Sequence, residues 1–526
     1  MYPFHVASVD PVGGEYDDSD SHLAFTIRYA VPGLIATSVL ALGALGVGWL
    51  PIYGLVDVPF VHTLRTTDIG MFLSRVSVIL GGALLLQAWL VAGADVMSGH
   101  IRDVRRLWTV LAIWIAPLVL APPLFSRDVY SYYAQGKLVL KGVDPYTNGV
   151  DSIPGWFRDG VDPMWSQVPT PYGPAFLGIS RAIAQVIADP FVAAIAFRLV
   201  AIAGVALLAY YVPRLAFLHG IDAPKALWLG VMNPLILMNF VASSHNDALM
   251  MGLIAAGLCL AMEGSMIYGI VLVTAGAMVK PIGLLALPFV GLIWAGARSS
   301  RKERFTSWAK TFGVAGFTFV ATSAIVGVNF GWVHALTTPG SVRTWLSPST
   351  ALGMASANVL NWFGLGDHVE LTVSVFRILF EIAAIVIIAR LIFKPDGRTA
   401  LRGLILAFAA VVALGPVIQP WYLLWALPLA AAAGLSAKEL RTVLVLIAGF
   451  TLYGLCGSSA TSDSLVELSD GLAALAAFGA VLLAVSVSPR ERALFFGEPA
   501  SHGLMPEDRP SIARHDQLII GGPLAQ

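Results

Sequence analysis

Long apolar stretches separated by short polar segments recur along the chain from Val31 to about residue 487. Most of them approach the ~20 residues that a helix needs to cross the hydrocarbon core of a bilayer. We therefore predict an all-α protein, a polytopic transmembrane helical bundle with about 13 or 14 spans. Residues 175–188 fit either a further span or an interfacial helix. The candidate spans cover residues 31–50, 76–97, 107–124, 191–212, 226–240, 249–262, 266–278, 282–297, 311–330, 371–393, 404–418, 421–435, 443–455 and 472–487.

The composition supports this interpretation. Of 526 residues, 57% are hydrophobic and 12% are charged, and the mean hydropathy is +0.77, whereas soluble domains carry about 25% charged residues. The net charge is zero, so no basic surface for nucleic acid is expected. Cys259 and Cys456 lie within apolar runs and are expected to pack in the core.

Basic residues collect at alternate ends of the predicted spans, and basic loops remain cytoplasmic. This assigns the two longest loops, residues 125–174 and 331–368, to the extracytoplasmic side. We expect residues 1–30 to be a polar cytoplasmic N-terminus without a cleavable signal peptide. The transmembrane domain is predicted to cover residues 31–487, followed by a cytoplasmic tail with little structure over residues 488–526.

In the first long loop, the sequence Ser126-Arg127-Asp128 places a carboxylate directly after an apolar span. Ser126 is suited to cap a helix whose first turn contains Asp128, where the helix dipole favours the ionised carboxylate. If this helix continues, Asp128, Tyr132 and Gln135 share one face. A carboxylate beside tyrosine rings is suited to take a proton from a sugar hydroxyl. The alternative is a capping aspartate paired with Arg127 at a membrane interface.

The same loop continues with aromatic residues and turn signals. Gly142 is expected to end the helix, and Asp144 begins a predicted turn. Tyr146, Trp165 and Tyr172 follow. Long ordered loops in compact domains tend to be functional, although an interfacial aromatic belt would have the same residues.

Polar groups in apolar surroundings mark further candidate sites, because they are costly in a membrane. Between two apolar runs lie His245, Asn246 and Asp247. These residues either bind hydroxyls or a divalent cation, or they form a simple turn. They lack the spacing of a known metal site. Lys280 is predicted either to hold an anion such as a lipid phosphate or to extend its amine to the membrane surface.

The segment Gln419-Pro420-Trp421-Tyr422 follows at the outer end of a span, where it either binds sugar or anchors the interface. Arg343 in the second long loop is the remaining external cation beside aromatic residues, and is either an anion ligand or simply solvated. No P-loop, Gly-rich dinucleotide turn or Gly-x-Ser-x-Gly elbow occurs in a suitable context. An enzyme with an external site therefore needs a donor that is available in the membrane.

Together these segments resemble the actinobacterial polyprenol-phosphate-mannose-dependent α-1,6-mannopyranosyltransferases (MptA/MptB) of the GT-C superfamily. The resemblance extends from about Trp108 to Tyr422. It rests on Phe125-Ser-Arg-Asp128-Val-Tyr130-Ser-Tyr132, Gly142-Val-Asp144-Pro-Tyr146, Pro171-Tyr-Gly-Pro174, His245-Asn-Asp247, Lys280 and Pro420-Trp-Tyr422.

The resemblance implies a GT-C fold in the plasma membrane with an extracytoplasmic active site. The donor would be polyprenyl-phosphate mannose, and the acceptor an α-1,6-mannan of the phosphatidylinositol-mannoside type, as in lipomannan and lipoarabinomannan. Asp128 would be the base that deprotonates the acceptor 6-hydroxyl, with inversion at the anomeric carbon. Lys280, Arg127 and then Arg343 would stabilise the departing phosphate.

The other residues of these segments are expected to contact the substrates: Tyr130, Tyr132, Asp144, Tyr146, Trp165, Tyr172, His245, Asn246, Asp247, Trp421 and Tyr422. The doubled acidic pair of several GT-C families is absent, since Arg127 precedes Asp128. The requirement for a divalent cation therefore stays open, and no other cofactor is implied.

Two other classes of protein also fit the predicted spans. A transporter or flippase of lipid-linked sugars would explain the spans and the intramembrane charge, but no internal repeat typical of duplicated transporters is visible. The long outer loop also favours an enzyme. A non-catalytic membrane subunit of an envelope assembly is the third possibility.

Overall fold

The computed structural model describes residues 23–52, 58–333, 344–395, 397–456 and 488–496. Over these residues the chain is helical and contains no β-strand, which confirms the all-α prediction. Its α-helices are α1 (Val31–Val47), α2 (Pro59–Thr66), α3 (Asp68–Met97), α4 (Val104–Ile115), α5 (Asp128–Leu140), α6 (Pro174–Val186), α7 (Pro190–Leu218), α8 (Ala223–Gly230), α9 (Asp247–Met262), α10 (Met266–Val279), α11 (Leu287–Ala295), α12 (Arg301–Val326), α13 (Pro348–Trp362), α14 (Val369–Phe393), α15 (Ala400–Leu414), α16 (Leu427–Ala433), α17 (Ala437–Cys456) and α18 (Pro489–Phe496).

Several helices have the length and apolarity of membrane spans, so the chain is a multi-pass membrane protein. Five qualify individually: Leu23–Val47, Asp68–Met97, Pro190–Leu218, Arg301–Val326 and Val369–Phe393. The π-helical segment Ile236–Ala242 and α9 form a sixth candidate that is bent by 110° at the break between them. Shorter apolar helices, such as α10 and α15, accompany these. The count of 13 or 14 spans remains a prediction, and residues 472–487 lie outside the described residues.

Two of the long helices face outward. Only 11% of the apolar stretch of α14 and 22% of that of α12 is buried within the protein. Their exposed residues are nevertheless apolar, as Ile385 and Ile325 illustrate with 65% and 82% exposure. Water would penalise such a surface, whereas lipid tails would cover it without cost.

Small residues and paired indoles hold the interior helices together. A Cβ atom added to Gly257 of α9 would lie 2.6 Å from the carbonyl oxygen of Gly269 of α10, so the two backbones approach as closely as small residues allow. On α3 and α8, Trp89 and Trp228 stack with ring centroids 4.9 Å apart. Each indole N–H donates to the other residue's carbonyl oxygen, at 3.1 and 2.9 Å.

A fully buried arginine joins three segments of the chain. Arg198 of α7 donates at 3.0 Å to the carbonyl oxygens of Val119, Val241 and Ala242, and also to that of Ala121. The guanidinium group has five N–H donors in a rigid fork, which suits a cluster of carbonyl groups. These bonds fix the backbone shortly before Phe125 and shortly before Ser244.

The first long loop contains two of the shorter helices. As predicted, Gly142 stops α5: the helix ends at Leu140, and Gly142 has a φ of +71°, in the left-handed region that favours glycine. Residues 175–188 fall largely within α6, a helix of 13 residues that is too short to span a bilayer alone. Beyond residue 487, α18 is helical where little structure was expected. Near its start, the Glu491 side chain accepts the N–H of Ser488 at 2.5 Å. Residues 497–526 lie outside the described residues.

Candidate active site

A cavity of about 330 Å³ opens between the first long loop and the segment before α16. It gathers residues from four distant parts of the sequence. Of the predicted site residues, it is lined by Arg127, Asp128, Trp165, Tyr172, Lys280, Trp421 and Tyr422. Gln419, from the candidate segment that contains Trp421 and Tyr422, also lines it. Further lining residues were not predicted as site residues from the sequence: Trp49, Phe125, Ser126, Ser131, Gln135, Asp162, Met164, Val168, Pro169, Pro171 and Val417.

Asp128 is the first residue of α5. Its backbone N–H donates to the Ser126 hydroxyl at 3.1 Å. The prediction of Ser126 as N-cap is off by one residue, because the N-cap position is Arg127, whose side chain makes no capping bond. Phe125, three residues before Asp128, has a φ of +63°, in the left-handed region that residues other than glycine rarely adopt. Backbone strain of this kind persists where surrounding contacts impose it and is frequent at active sites.

The Asp128 side chain is 23% exposed and faces the cavity. Burial raises the pKa of this carboxyl from 3.8 to about 6, while the positive charge of Lys280 and the hydrogen bond with Ser126 oppose the rise. A carboxylate with a pKa near 6 is ionised at neutral pH and is a stronger base than a solvated aspartate.

His245 lies beside Asp128 and is 1% exposed. Its Nδ1 is 3.8 Å from Asp128 Oδ2, which exceeds a hydrogen-bond distance. The imidazole stacks on Trp421 with ring centroids 4.1 Å apart. Ser244, directly before it, has a φ of +60°. Strained residues therefore precede both Asp128 and His245.

Lys280 follows α10 and extends its amine toward a buried carboxylate. Lys280 Nζ is 2.9 Å from both oxygens of Asp247, whose side chain is fully buried. The indole N–H of Trp425 donates to Asp247 Oδ1 at 2.6 Å. Lys280 itself remains 19% exposed toward the cavity. The structure thus supplies a protein carboxylate as the anion that Lys280 was predicted to bind, while leaving the amine within reach of a second anion.

Arg127 is held from two sides. Its Nε donates to Asp162 Oδ2 at 2.9 Å, and the guanidinium lies 4.4 Å from the ring centroid of Trp49. The sequence suggested a pair between Arg127 and Asp128, but the structure pairs Arg127 with Asp162 instead. This interaction ties the start of α5 to the distal part of the loop.

Some predicted residues lie outside the cavity lining. The Tyr130 hydroxyl donates to the carbonyl oxygen of Trp49 at 2.8 Å. Tyr132 packs edge-on against Tyr172 and Phe176, with ring centroids 5.3 and 4.9 Å apart. Both tyrosines therefore stabilise the loop without lining the cavity.

The remaining predicted residues have different positions. Asp144 accepts the side-chain N–H of Asn329 at 2.7 Å, and the Tyr146 hydroxyl donates to the Tyr172 carbonyl oxygen at 3.1 Å; both interactions brace the loop. Asn246 is buried, and neither atom of its amide group has a partner. Arg343 lies outside the described residues. In the described part of the chain, no three His, Cys, Asp or Glu side chains converge as a metal site would require.

Sequence reasoning missed several lining residues because their signal is weak. Trp49 and Asp162 stand in loops where their residue types are common, and they reach the cavity through tertiary packing. For Ser131 and Gln135 the available signal was helical spacing, since they lie three and seven residues after Asp128.

Comparison with known proteins identifies the family of this chain. Residues 30–296 match the family model for the N-terminal domain of alpha-(1->6)-mannopyranosyltransferases, and residues 349–492 match that of the MptB C-terminal domain. The second match covers α13 to α17, including the segment that contributes Trp421 and Tyr422 to the cavity.

Similar proteins of known name come from related bacteria. A probable alpha-(1->6)-mannopyranosyltransferase of Mycolicibacterium smegmatis is 32% identical, over 90% of each chain. Alpha-(1->6)-mannopyranosyltransferase A of Mycobacterium tuberculosis is 35% identical, over 73% of this chain and 75% of its own. Alpha-(1->6)-mannopyranosyltransferase B of Corynebacterium glutamicum is 30% identical, over 76% and 72%. No solved structure matches. As the resemblance of its motifs predicted, the chain belongs to the α-(1→6)-mannopyranosyltransferase family.

Proposed function

We propose that this protein transfers mannose from polyprenyl-phosphate mannose to the 6-hydroxyl of an α-1,6-mannan acceptor in lipomannan and lipoarabinomannan synthesis. The observation that carries the proposal is that Asp128 and Lys280 line one cavity. A carboxylate base activates a hydroxyl, and a cation stabilises a departing phosphate. The names of the relatives support the α-(1→6) linkage.

In the proposed reaction, ionised Asp128 accepts the proton of the acceptor 6-hydroxyl. The hydroxyl oxygen attacks the anomeric carbon of the donor from the face opposite the phosphate. The new C–O bond forms as the bond between the anomeric carbon and the phosphate oxygen breaks, so a β-linked donor gives an α-linked product. The electron pair of the broken bond leaves with polyprenyl phosphate.

Lys280 is our candidate for binding the phosphate as its negative charge increases. The amine is anchored by Asp247, so its position is fixed before the donor arrives, and such preorganisation is the main source of electrostatic stabilisation in enzymes. The pair also keeps a cation in the site without an unpaired buried charge. Arg127, anchored by Asp162, is the second cation that lines the cavity.

We further propose that the cavity faces the extracytoplasmic side of the plasma membrane. The distribution of basic residues supports this orientation, because basic loops remain cytoplasmic. Outward-facing apolar helices such as α14 supply the contact with lipid that a polyprenyl donor requires.

The deciding assay uses the purified full-length protein in detergent, with labelled polyprenyl-phosphate mannose and a short α-1,6-mannoside. We expect a new α-1,6 bond with wild-type protein. Transfer by Asp128→Asn should fall at least about 10²-fold, because the asparagine side chain cannot accept the proton.

Asp159→Asn is the matched control. Asp159 is in the same loop and pairs with Lys137 at 2.6 Å, but it does not line the cavity, so transfer should be retained. A folded Asp128→Asn protein with wild-type transfer would remove Asp128 from the role of base. Movement of the labelled lipid across reconstituted vesicles without a new glycosidic bond would instead indicate a flippase.

A further inference from the structure

One face of α5 carries polar side chains that the reaction above does not use. Ser131 and Gln135 follow Asp128 at helical spacing and line the same cavity. With a rise of about 1.5 Å per residue, they stand about 4.5 and 10.5 Å further along the helix axis than Asp128. The three side chains form a row that begins at the proposed base.

Both side chains are buried, and each has a polar atom without a hydrogen-bond partner. Ser131 is 4% exposed and Gln135 is 6% exposed. In the described structure the Ser131 hydroxyl has no hydrogen-bond partner, and Gln135 Oε1 accepts no hydrogen bond. Buried polar atoms in proteins are nearly always paired, and an unpaired one calls for an explanation such as a ligand.

The other side chains of α5 contrast with this face. Tyr133 donates its hydroxyl to the carbonyl oxygens of Ile187 and Ala188, each at 2.9 Å, and Tyr132 packs in an aromatic cluster with Tyr172. The helix therefore uses its remaining faces for packing. The polar atoms toward the cavity contribute nothing to that packing.

We propose that Ser131 and Gln135 form a subsite that binds hydroxyl groups of the acceptor saccharide. The inference rests on the proposed function, because it takes Asp128 as the base that receives the acceptor proton. A sugar whose hydroxyl points to Asp128 extends along the same helix. Lys280, which binds the donor phosphate in the proposed reaction, comes from another element.

The chemistry of the subsite fits a neutral carbohydrate. A serine hydroxyl both donates and accepts, and an amide oxygen accepts an O–H. Sites built to bond a hydroxyl reject analogues that lack it, because the protein group is then left unpaired. The subsite would thus select acceptors that carry hydroxyls at the matching positions.

The test measures transfer by full-length Ser131→Ala and Gln135→Met proteins, with the α-1,6-mannoside and with analogues that lack one hydroxyl each but keep the 6-hydroxyl. For each variant we expect the acceptor KM to rise about 3- to 10-fold, the scale of one neutral hydrogen bond, with kcat within twofold and an unchanged donor KM. Wild-type protein should disfavour at least one deoxy analogue by about tenfold, and the matching variant should lose that preference. Gln135→Asn provides a second variant if Gln135→Met unfolds.

Ser180→Ala is the matched control. The Ser180 hydroxyl is also buried without a partner, but it lies on α6 away from the cavity lining, so its removal should leave the acceptor KM unchanged. Unchanged acceptor KM and unchanged selectivity in both α5 variants would overturn the subsite, even if wild-type transfer proceeds. An increase in the donor KM alone would also overturn it.

A binding measurement separates this inference from the proposed reaction. Calorimetric titration of Asp128→Asn with the mannoside needs no transfer. If adding Gln135→Met weakens that binding about 3- to 10-fold, the subsite stands even where transfer from polyprenyl-phosphate mannose is not observed. Equal binding by the two proteins would contradict the subsite independently of catalysis.

Discussion

Lys280 and Asp247 are 33 residues apart in the sequence, and both carboxylate oxygens of Asp247 lie 2.9 Å from the Lys280 amine. The carboxylate is fully buried, whereas the lysine reaches the cavity. The pair therefore connects the interior of the bundle to the proposed substrate site. In the proposed reaction its two members have different roles: Asp247 holds the lysine amine in place, and Lys280 binds the donor phosphate.

Asp247→Asn should destabilise the protein by about 3 kcal/mol, because removal of one partner of a buried pair leaves the other charge uncompensated. The free energy of unfolding in detergent measures the effect. Glu263→Gln is the control: its pair with Arg214 is part-exposed, so its loss should cost about 1 kcal/mol or less. Equal losses of unfolding free energy in the two variants would show that the buried pair stabilises the protein no more than the part-exposed pair.

Transfer should decrease in acid with an apparent pKa of about 6. Burial raises the pKa of Asp128 to about 6, and the base acts only when ionised. Below pH 6 the carboxyl is therefore protonated, and kcat/KM should fall about tenfold per pH unit; above about pH 7 it should reach a plateau. A pH profile of kcat/KM checks this. A decrease centred near pH 4 would mean that Asp128 ionises like a solvated aspartate.

Arg198→Lys should reduce transfer about tenfold or more and lower the unfolding temperature. The guanidinium of Arg198 donates to four carbonyl oxygens before Phe125 and Ser244, and a lysine amine has only three donors and no fork. Loss of these bonds displaces the segments that carry Asp128 and His245, and small displacements in an active site are costly.

The control for this variant is Arg181→Lys, since exposed Arg181 makes one bond, to the Val326 carbonyl oxygen at 3.1 Å. It should retain wild-type kcat and stability. A change in the apparent pKa of the acid limb in Arg198→Lys would identify displacement of Asp128, whereas instability alone with wild-type kcat would argue against a positioning role.

The proposed orientation predicts opposite labelling of two engineered cysteines. In a Cys259→Ala, Cys456→Ala background, a cysteine replacing Met164, which is 56% exposed in the first long loop, should react with a membrane-impermeant maleimide in intact cells. A cysteine replacing Lys302, in a basic segment, should react only after permeabilisation. The reverse pattern would place Asp128 in the cytosol and exclude an extracytoplasmic transfer.

The amino-acid sequence was sufficient to predict the all-α, multi-pass class. The length of an apolar run is a local property, and the bilayer thickness sets how long a run must be to span the membrane as a helix. It also located the helix that begins near Asp128 and ends shortly before Gly142, since caps and glycine stops depend on neighbouring residues. The collinear motifs were enough to predict the family.

Only the tertiary structure decided which side chains meet. Residues 131 and 132 differ by about 100° around α5, and packing against other elements directs Ser131 to the cavity and Tyr132 to the aromatic cluster. The partner of Lys280 likewise depended on how α9 and α10 pack, because a charge in the sequence does not show which distant carboxylate will face it. Single residues in the sequence show which side chains can act as a base or bind an anion. Their assembly into one site depends on how whole helices rotate and pack.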